Sequence, residues 1–238
     1  CTRLELGPDG ADVRDMTPEL RAAVLDEFER LSSDGYRAVA VAYRTIGNGR
    51  EIYSIADESN MTFVGYVSFV DPPKESTREA LEQAEALGVE IKILTGDNEL
   101  VTARICERVG LKVKGVLMGQ DVDALDDSEL AARAEQATVC ARLSPDQKDR
   151  IIAALKRSGH VVGYMGDGIN DAPSLRTADV GVSVSNAVDV AREAADIILL
   201  EEGLHVLETG IVEGRKTFAN TLKYIMMGTS SNFGNMFS

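Results

Sequence analysis

The stretch Tyr164-Met165-Gly166-Asp167-Gly168-Ile169-Asn170-Asp171-Ala172-Pro173-Ser174-Leu175 decides the fold. The apolar run from His160 to Met165 reads as a buried strand that delivers Asp167, Asn170 and Asp171 into a loop punctuated by glycine. Gly166 and Gly168 let the backbone turn sharply and approach a ligand closely. Asp167 and Asp171 are hard oxygen ligands spaced to converge on one small cation, and Mg²⁺ is the cation that prefers carboxylates together with phosphate oxygens. GDG or ND alone is only a turn former. The length of this string, and its place at the end of a strand, lift it above that.

Working outward, the chain from residue 74 alternates strands with helices. Helices are expected over 75–87, 99–109, 128–137, 146–157 and 187–195, and strands over 89–95, 138–142, 160–166, 179–184 and 196–200. Ser144 or Asp146 is the candidate cap of helix 146–157. Such alternation implies an α/β fold, a parallel sheet covered by helices on both faces. Ligands of these sheets sit at the carboxyl ends of strands. Thr95-Gly96-Asp97 and Gly166-Asp167-Gly168 both lie at such ends. Between a strand and a helix, the Thr95 hydroxyl and free backbone N–H groups can hold an anion. Lys148, early in helix 146–157, offers a positive charge, and Asn170 can orient a phosphate oxygen or a metal-bound water. Phosphoryl transfer needs this set because its catalysis is mostly positioning and neutralisation of charge.

The first 70 residues read differently. Leu20, Val24, Phe28 and Leu31 follow a helical period over 18–34, with Pro18 suited to the first turn and Gly35 to the stop. Strands are expected over Tyr36–Ile46, Glu51–Ala56 and Met61–Val70, with a turn at Gly47-Asn48-Gly49. Asp71-Pro72-Pro73 is stiff and poor in N–H donors, and marks a domain boundary and hinge.

Composition narrows the classes. The chain has 238 residues with 39 acidic and 25 basic side chains, a formal net charge of −14. A nucleic-acid binder would show a basic face, so nucleic acid is not an expected partner. Cys1, Cys106 and Cys140 are widely spaced, which fits a reducing compartment and suggests neither a zinc site nor a disulfide framework. No run reaches the ~18 apolar residues of a membrane-spanning helix. The chain opens at Cys1 without Met, and 224–238 is turning apolar where it stops. A piece of a longer protein is the expectation.

Asp71-Pro72-Pro73-Lys74, Thr95-Gly96-Asp97-Asn98, Lys148 in Ser-Pro-Asp-Gln-Lys, and Gly166-Asp167-Gly168-Ile169-Asn170-Asp171-Ala172-Pro173 resemble the cation-transporting P-type ATPases. The resemblance runs from about Gly35 to Ser238. It implies a haloacid dehalogenase-like doubly wound parallel sheet. Residues 1–70 would be the α+β C-terminal part of a nucleotide-binding domain, 71–215 the phosphorylation domain, and 216–238 a stalk and the start of the fifth membrane helix. The family forms an aspartyl phosphate on a DKTGT motif. Thr95, Gly96 and Asp97 of the TGD turn, with Lys148, Asn170 and Asp171, would make the catalytic site. Asp167 and Asp171 would hold Mg²⁺, and Arg37 and Arg142 would reach the phosphates of ATP. The protein would be integral to the plasma membrane, with these residues mostly on its cytoplasmic side.

The sequence departs from the family pattern in one respect: DKTGT, KGA and TGE do not occur in it. The DKTGT strand would lie between the strands ending at Thr95 and Gly166, so its absence leaves two unpaired edges. This piece alone is expected to be inactive, and poorly soluble or rearranged. Thr217-Phe218-Ala219-Asn220-Thr221-Leu222-Lys223-Tyr224-Ile225, followed by Ser230-Ser231-Asn232-Phe233-Gly234-Asn235, is similar to the magnesium-transporting branch. Calcium pumps carry Glu where this chain has Asn235. The resemblance therefore implies Mg²⁺ as the transported cation, with Asn232 and Asn235 on the ion path. The alternatives are a calcium or other cation pump, a soluble haloacid dehalogenase-like phosphatase, and a non-catalytic Mg–nucleotide-binding remnant.

Overall fold

A computed structural model describes residues 1–6, 12–46, 53–70, 73, 76–201 and 203–236, the last six by backbone alone. They form two compact units, Cys1–Pro72 with Asp97–Arg108, and Pro73–Gly96 with Val109–Ser238.

In the first unit, β1 (Arg3–Leu6), β2 (Asp12–Asp15), α1 (Pro18–Ser33), β3 (Arg37–Tyr43) and β4 (Thr62–Phe69) follow in order. The sheet order is β2-β1-β4-β3, with β1 and β4 parallel and the other pairs antiparallel. The expected stripe holds: Leu20, Val24, Phe28 and Leu31 are half-buried, while the α1 residues between them up to Arg30 are exposed. Phe28 meets the Tyr66 ring at 5.9 Å, and the Tyr66 hydroxyl donates to the Val24 carbonyl at 3.0 Å. Thr17 caps the start of α1 by accepting from the Leu20 N–H. At its end Gly35 takes φ +89°, with Gly35 N–H bonding Ser32 O and Tyr36 N–H bonding Leu31 O. That closing motif favours glycine.

Two expectations for this unit change. Neither β1 nor β2 was expected, since each is only four residues long. The strand expected over Glu51–Ala56 is not formed where the chain is described. There the chain makes a 3₁₀ turn at Ile55–Asp57, because Asp57 Oδ2 accepts from the Ser54 N–H at 3.0 Å and folds the segment back. The expected turn at 47–49 and most of the Asp71-Pro72-Pro73 hinge lie outside the described residues. The helix Glu99–Val109 clusters with this unit, where Arg108 donates to the Asp34 carbonyl at 3.3 Å.

The chain continues through α2 (Ser76–Ala86), β5 (Ile93–Leu94), the Glu99–Val109 helix as α3, β6 (Val116–Met118), α4 (Gly119–Ala124), α5 (Asp127–Gln136) and β7 (Val139–Ala141). It then forms α6 (Pro145–Arg157), β8 (Gly163–Met165), α7 (Ala172–Thr177), β9 (Val180–Val184), α8 (Asp189–Ala194), β10 (Ile197–Leu199) and α9 (Leu204–Met236). The second unit holds all of these but α3. It contains two three-stranded, wholly parallel sheets, β5-β7-β6 and β10-β9-β8. The expected α/β class is present, but its sheet comes in two pieces. The end strands β5 and β8 are the two that lead into Thr95 and Gly166. Most strands are shorter than expected; only Ile93 and Leu94 of 89–95 pair.

Leu117, Val122, Leu130, Cys140, Ile151 and Leu155 make the larger core, which α6 closes over the first sheet. Burial pushes the Cys140 thiol up to about 11, leaving it a protonated core residue. A smaller core joins Leu175 of α7 and Ala191 of α8 with the ring of Tyr164. The start of α9 lies on α2, and Arg215 donates to the Leu87 carbonyl at 2.8 Å. From Glu213 to Ser230 every residue of α9 is exposed. No helix among the described residues is long and apolar enough to cross a membrane.

Candidate phosphate and metal site

The site begins where β8 ends. Gly166 N–H bonds Val182 O at 3.1 Å, and Ser183 Oγ donates to Gly166 O at 2.9 Å, which ties the loop to β9. The chain then makes a 3₁₀ turn, Ile169–Asp171, and enters α7 with Pro173 in its first turn. Neither glycine of the loop needs a left-handed conformation; Gly168 has φ −95°. What makes Gly166 necessary is space. A Cβ there would lie 2.5 Å from Asp171 Cβ and 2.8 Å from its Cγ. The expected tight turn at Gly166 is thus a close approach of the chain to its own carboxylate.

Asp171 is the hub of a polar cluster. Its Oδ1 accepts from Lys148 Nζ at 2.8 Å and from the Tyr164 hydroxyl at 2.7 Å, and its Oδ2 accepts from the Gly168 N–H at 3.2 Å. The Lys148 and Asp171 side chains are each 14% exposed. Burial pushes the Asp171 carboxyl up, but donation from Lys148 and Tyr164 outweighs it and the group sits below its ordinary value. Tyr164 is pushed upward, first by burial and then by the Asp171 carboxylate, so its hydroxyl keeps its proton.

Lys148 is placed by its helix. Ser144 caps α6, accepting from the Gln147 N–H at 3.3 Å, while Gln147 Oε1 accepts from the Ser144 N–H at 2.9 Å. Of the two cap candidates, Ser144 is the one used, and Pro145 occupies the first turn. Two further links dock α6 onto the loop and α7. Ser174 Oγ, fully buried, donates to Asp149 at 2.7 Å, and Lys156 donates to Thr177 O at 2.7 Å beside Asp179 at 3.2 Å. Tyr164, Asp149 and Ser174 were not singled out in the sequence. A phenol within an apolar run, and a Ser after Ala-Pro, carry no signal there.

The other expected residues sort as follows. Asp167 and Asn170 are exposed on the same loop, and the Asp167 carbonyl accepts from Val188 N–H at 3.1 Å. Thr95 and Gly96 follow β5; Thr95 N–H bonds Cys140 O and Thr95 O accepts from Leu143 N–H, which pins the turn to the end of β7. Arg142 is exposed and stands at φ 54°, a left-handed conformation uncommon for a residue with a side chain. In the first unit, Arg37 and Asp97 pair at 3.4 Å. The side chains of Asn232 and Asn235 lie outside the described residues. Among the described residues no three His, Cys, Asp or Glu side chains gather into a metal cluster.

A model of the haloacid dehalogenase-like hydrolases matches residues 5–179. The chain belongs to that family. The match takes in most of the first unit and, in the second, the chain from α2 through α7, with Lys148, Asp167 and Asp171. The chain is 57% identical over 210 residues to the Escherichia coli K12 protein named "Magnesium-transporting ATPase, P-type 1", covering 88% of this chain and 23% of that one. It is 56% identical over 238 residues to the Salmonella typhimurium 14028s protein of the same name, covering 100% and 26%. "Calcium-transporting ATPase 1" of Lactococcus lactis is 31% identical over 224 residues, covering 93% and 26%. This haloacid dehalogenase-like chain therefore spans about a quarter of the length of these relatives.

Proposed function

We propose that these residues form the phosphate-binding part of an ATP-driven pump that carries Mg²⁺ across a membrane through an aspartyl-phosphate intermediate. The reading rests chiefly on the 56–57% identity to two proteins named as magnesium-transporting ATPases, against 31% to one named for calcium. The cluster around Asp171 supports it. Lys148 holds a half-buried positive charge 2.8 Å from Asp171, early in a capped helix, where it can meet a transferring phosphoryl oxygen.

Asp167 fits the catalytic Mg²⁺ site: it is an exposed carboxylate next to a pinned backbone, and Mg²⁺ is held through one or two carboxylates plus phosphate oxygens and water. The ion would screen the phosphate charge there. Asp171, with both oxygens already accepting hydrogen bonds, serves to hold Lys148 and close the loop. Thr95, whose own N–H is taken by Cys140 O, supplies its hydroxyl and Gly96 its backbone N–H to the phosphoryl oxygens, and Asn170 orients one of them. Arg37 and Arg142 reach the nucleotide from its phosphate side. The nucleophilic aspartate is not among these 238 residues, so this segment alone forms no phosphoenzyme. α9 carries the segment toward the bilayer as an integral protein with this part on the cytoplasmic side, and Asn232 and Asn235 belong to the ion path.

The test is phosphorylation of the full-length protein from γ-labelled ATP, combined with transport in vesicles. An acid-stable phosphoenzyme and ATP-dependent Mg²⁺ movement are expected. Phosphoenzyme with calcium movement would reassign the cargo, and hydrolysis of small phosphate esters without a phosphoenzyme from ATP would overturn the pump.

A further inference from the structure

We propose that Tyr164 is a positioning residue that fixes the Asp171 carboxylate and, through it, the Lys148 ammonium. The inference rests on the reading that Lys148 meets the phosphoryl group. Tyr164 lies within β8, and its ring packs into the small apolar core with Leu175 and Ala191. Burial in such a setting strips water from a phenol hydroxyl, which must then find a partner or cost stability. The partner it takes is Asp171 Oδ1, the same oxygen that Lys148 uses.

The two donors differ in stiffness. Lys148 hangs on a flexible four-carbon stem and could follow the carboxylate through several rotamers. The Tyr164 hydroxyl sits on a planar ring packed against the small core, so it moves less than the lysine ammonium. With Gly168 N–H on Oδ2 and Tyr164 on Oδ1, rotation of the carboxylate is locked at both oxygens. Lys148 is then held at one place by an acceptor that cannot turn away. Catalysis by positioning is sensitive to such a lock, because misplacement of a charged group by about 1 Å can cost on the order of a hundredfold in rate.

Tyr164→Phe keeps the ring and removes only the hydroxyl. The experiment is made in the full-length protein, with two readouts. Acetylation of Lys148, followed by mass spectrometry against exposed Lys114 as reference, should quicken roughly tenfold, the scale of one hydrogen bond to a charged group. Phosphoenzyme formation at saturating ATP should slow by a similar factor while the apparent KM for ATP stays unchanged. In an Asp171→Ala background, Tyr164→Phe should add nothing to Lys148 acetylation, whereas a purely structural tyrosine would add its effect in both backgrounds. Unchanged Lys148 acetylation, additive effects, or an unchanged phosphorylation rate would overturn the proposal. A wild-type protein that forms no phosphoenzyme would overturn the pump reading instead, and Lys148 acetylation would still decide whether Tyr164 fixes the pair.

Discussion

Lys148 Nζ on α6 and Asp171 Oδ1 at the entrance to α7 are 2.8 Å apart, in a contact almost closed to water. Deleting Lys148 leaves the half-buried Asp171 carboxylate with Tyr164 and Gly168 alone. Lys148→Ala should therefore destabilise the protein by about 2 kcal/mol and lower phosphoenzyme formation steeply. Denaturant midpoints of the full-length protein, read beside phosphorylation, check both effects.

Gly166→Ala tests the crowding at the loop. The new methyl would meet the Asp171 side chain at 2.5 Å and push it off Lys148 and the Gly168 N–H. Phosphorylation should fall by about a hundredfold, the scale set by ångström misplacement in a positioned site. Gly163→Ala, placed where an added Cβ meets only Val180 O at 3.8 Å, should leave the rate near wild type.

Asp167→Asn removes the exposed carboxylate of the loop while leaving the Asp171 cluster intact. The expected outcome is a higher Mg²⁺ requirement for phosphorylation, with Lys148 acetylation unchanged. A variant whose Mg²⁺ titration matches wild type would remove Asp167 from the metal site.

Asp179 gives a pH dependence of stability. Its carboxylate accepts from the Val162 N–H at 2.9 Å and pairs with Lys156, and the backbone bond is the larger reason that it sits below its ordinary value of 3.8. A depressed carboxylate contributes fully above its unfolded value and loses that contribution as pH falls through the folded one. Wild type should lose stability below about pH 4 more steeply than Asp179→Asn. Parallel acid melts of the two would show it.

The segment expressed alone should associate with itself. β5 and β8 each end a parallel sheet, and such free edges template pairing between chains. Light scattering that rises with concentration is the expected result. A sharp, concentration-independent melt of a monomer would count against it.

How far the sequence reaches can be judged from particular residues. Asp167, Asp171 and Lys148 stood out by residue type and spacing, and of these the structure brings Lys148 and Asp171 into contact. The stripe of α1 was legible because a one-sided helix must repeat near every third or fourth residue. Val116–Met118 escaped notice because three residues show no periodicity, and α7 because Ala172-Pro173 reads as loop, although proline suits a helical first turn. For α3, an amphipathic pattern shows that a face is covered but not which unit covers it. The reason for Gly166 lay hidden too, since it depends on a side chain five positions away folding back over it.

The long helix α9 has a mechanical consequence. Only its first turns rest on the domain, where Arg215 grips the end of α2. The remaining arm, Lys216–Met236, is about 32 Å long at the helical rise, so a tilt of roughly 10° at its root swings the tip by about 5 to 6 Å. A small shift of α2 at that root is thereby magnified at the far end of a single lever.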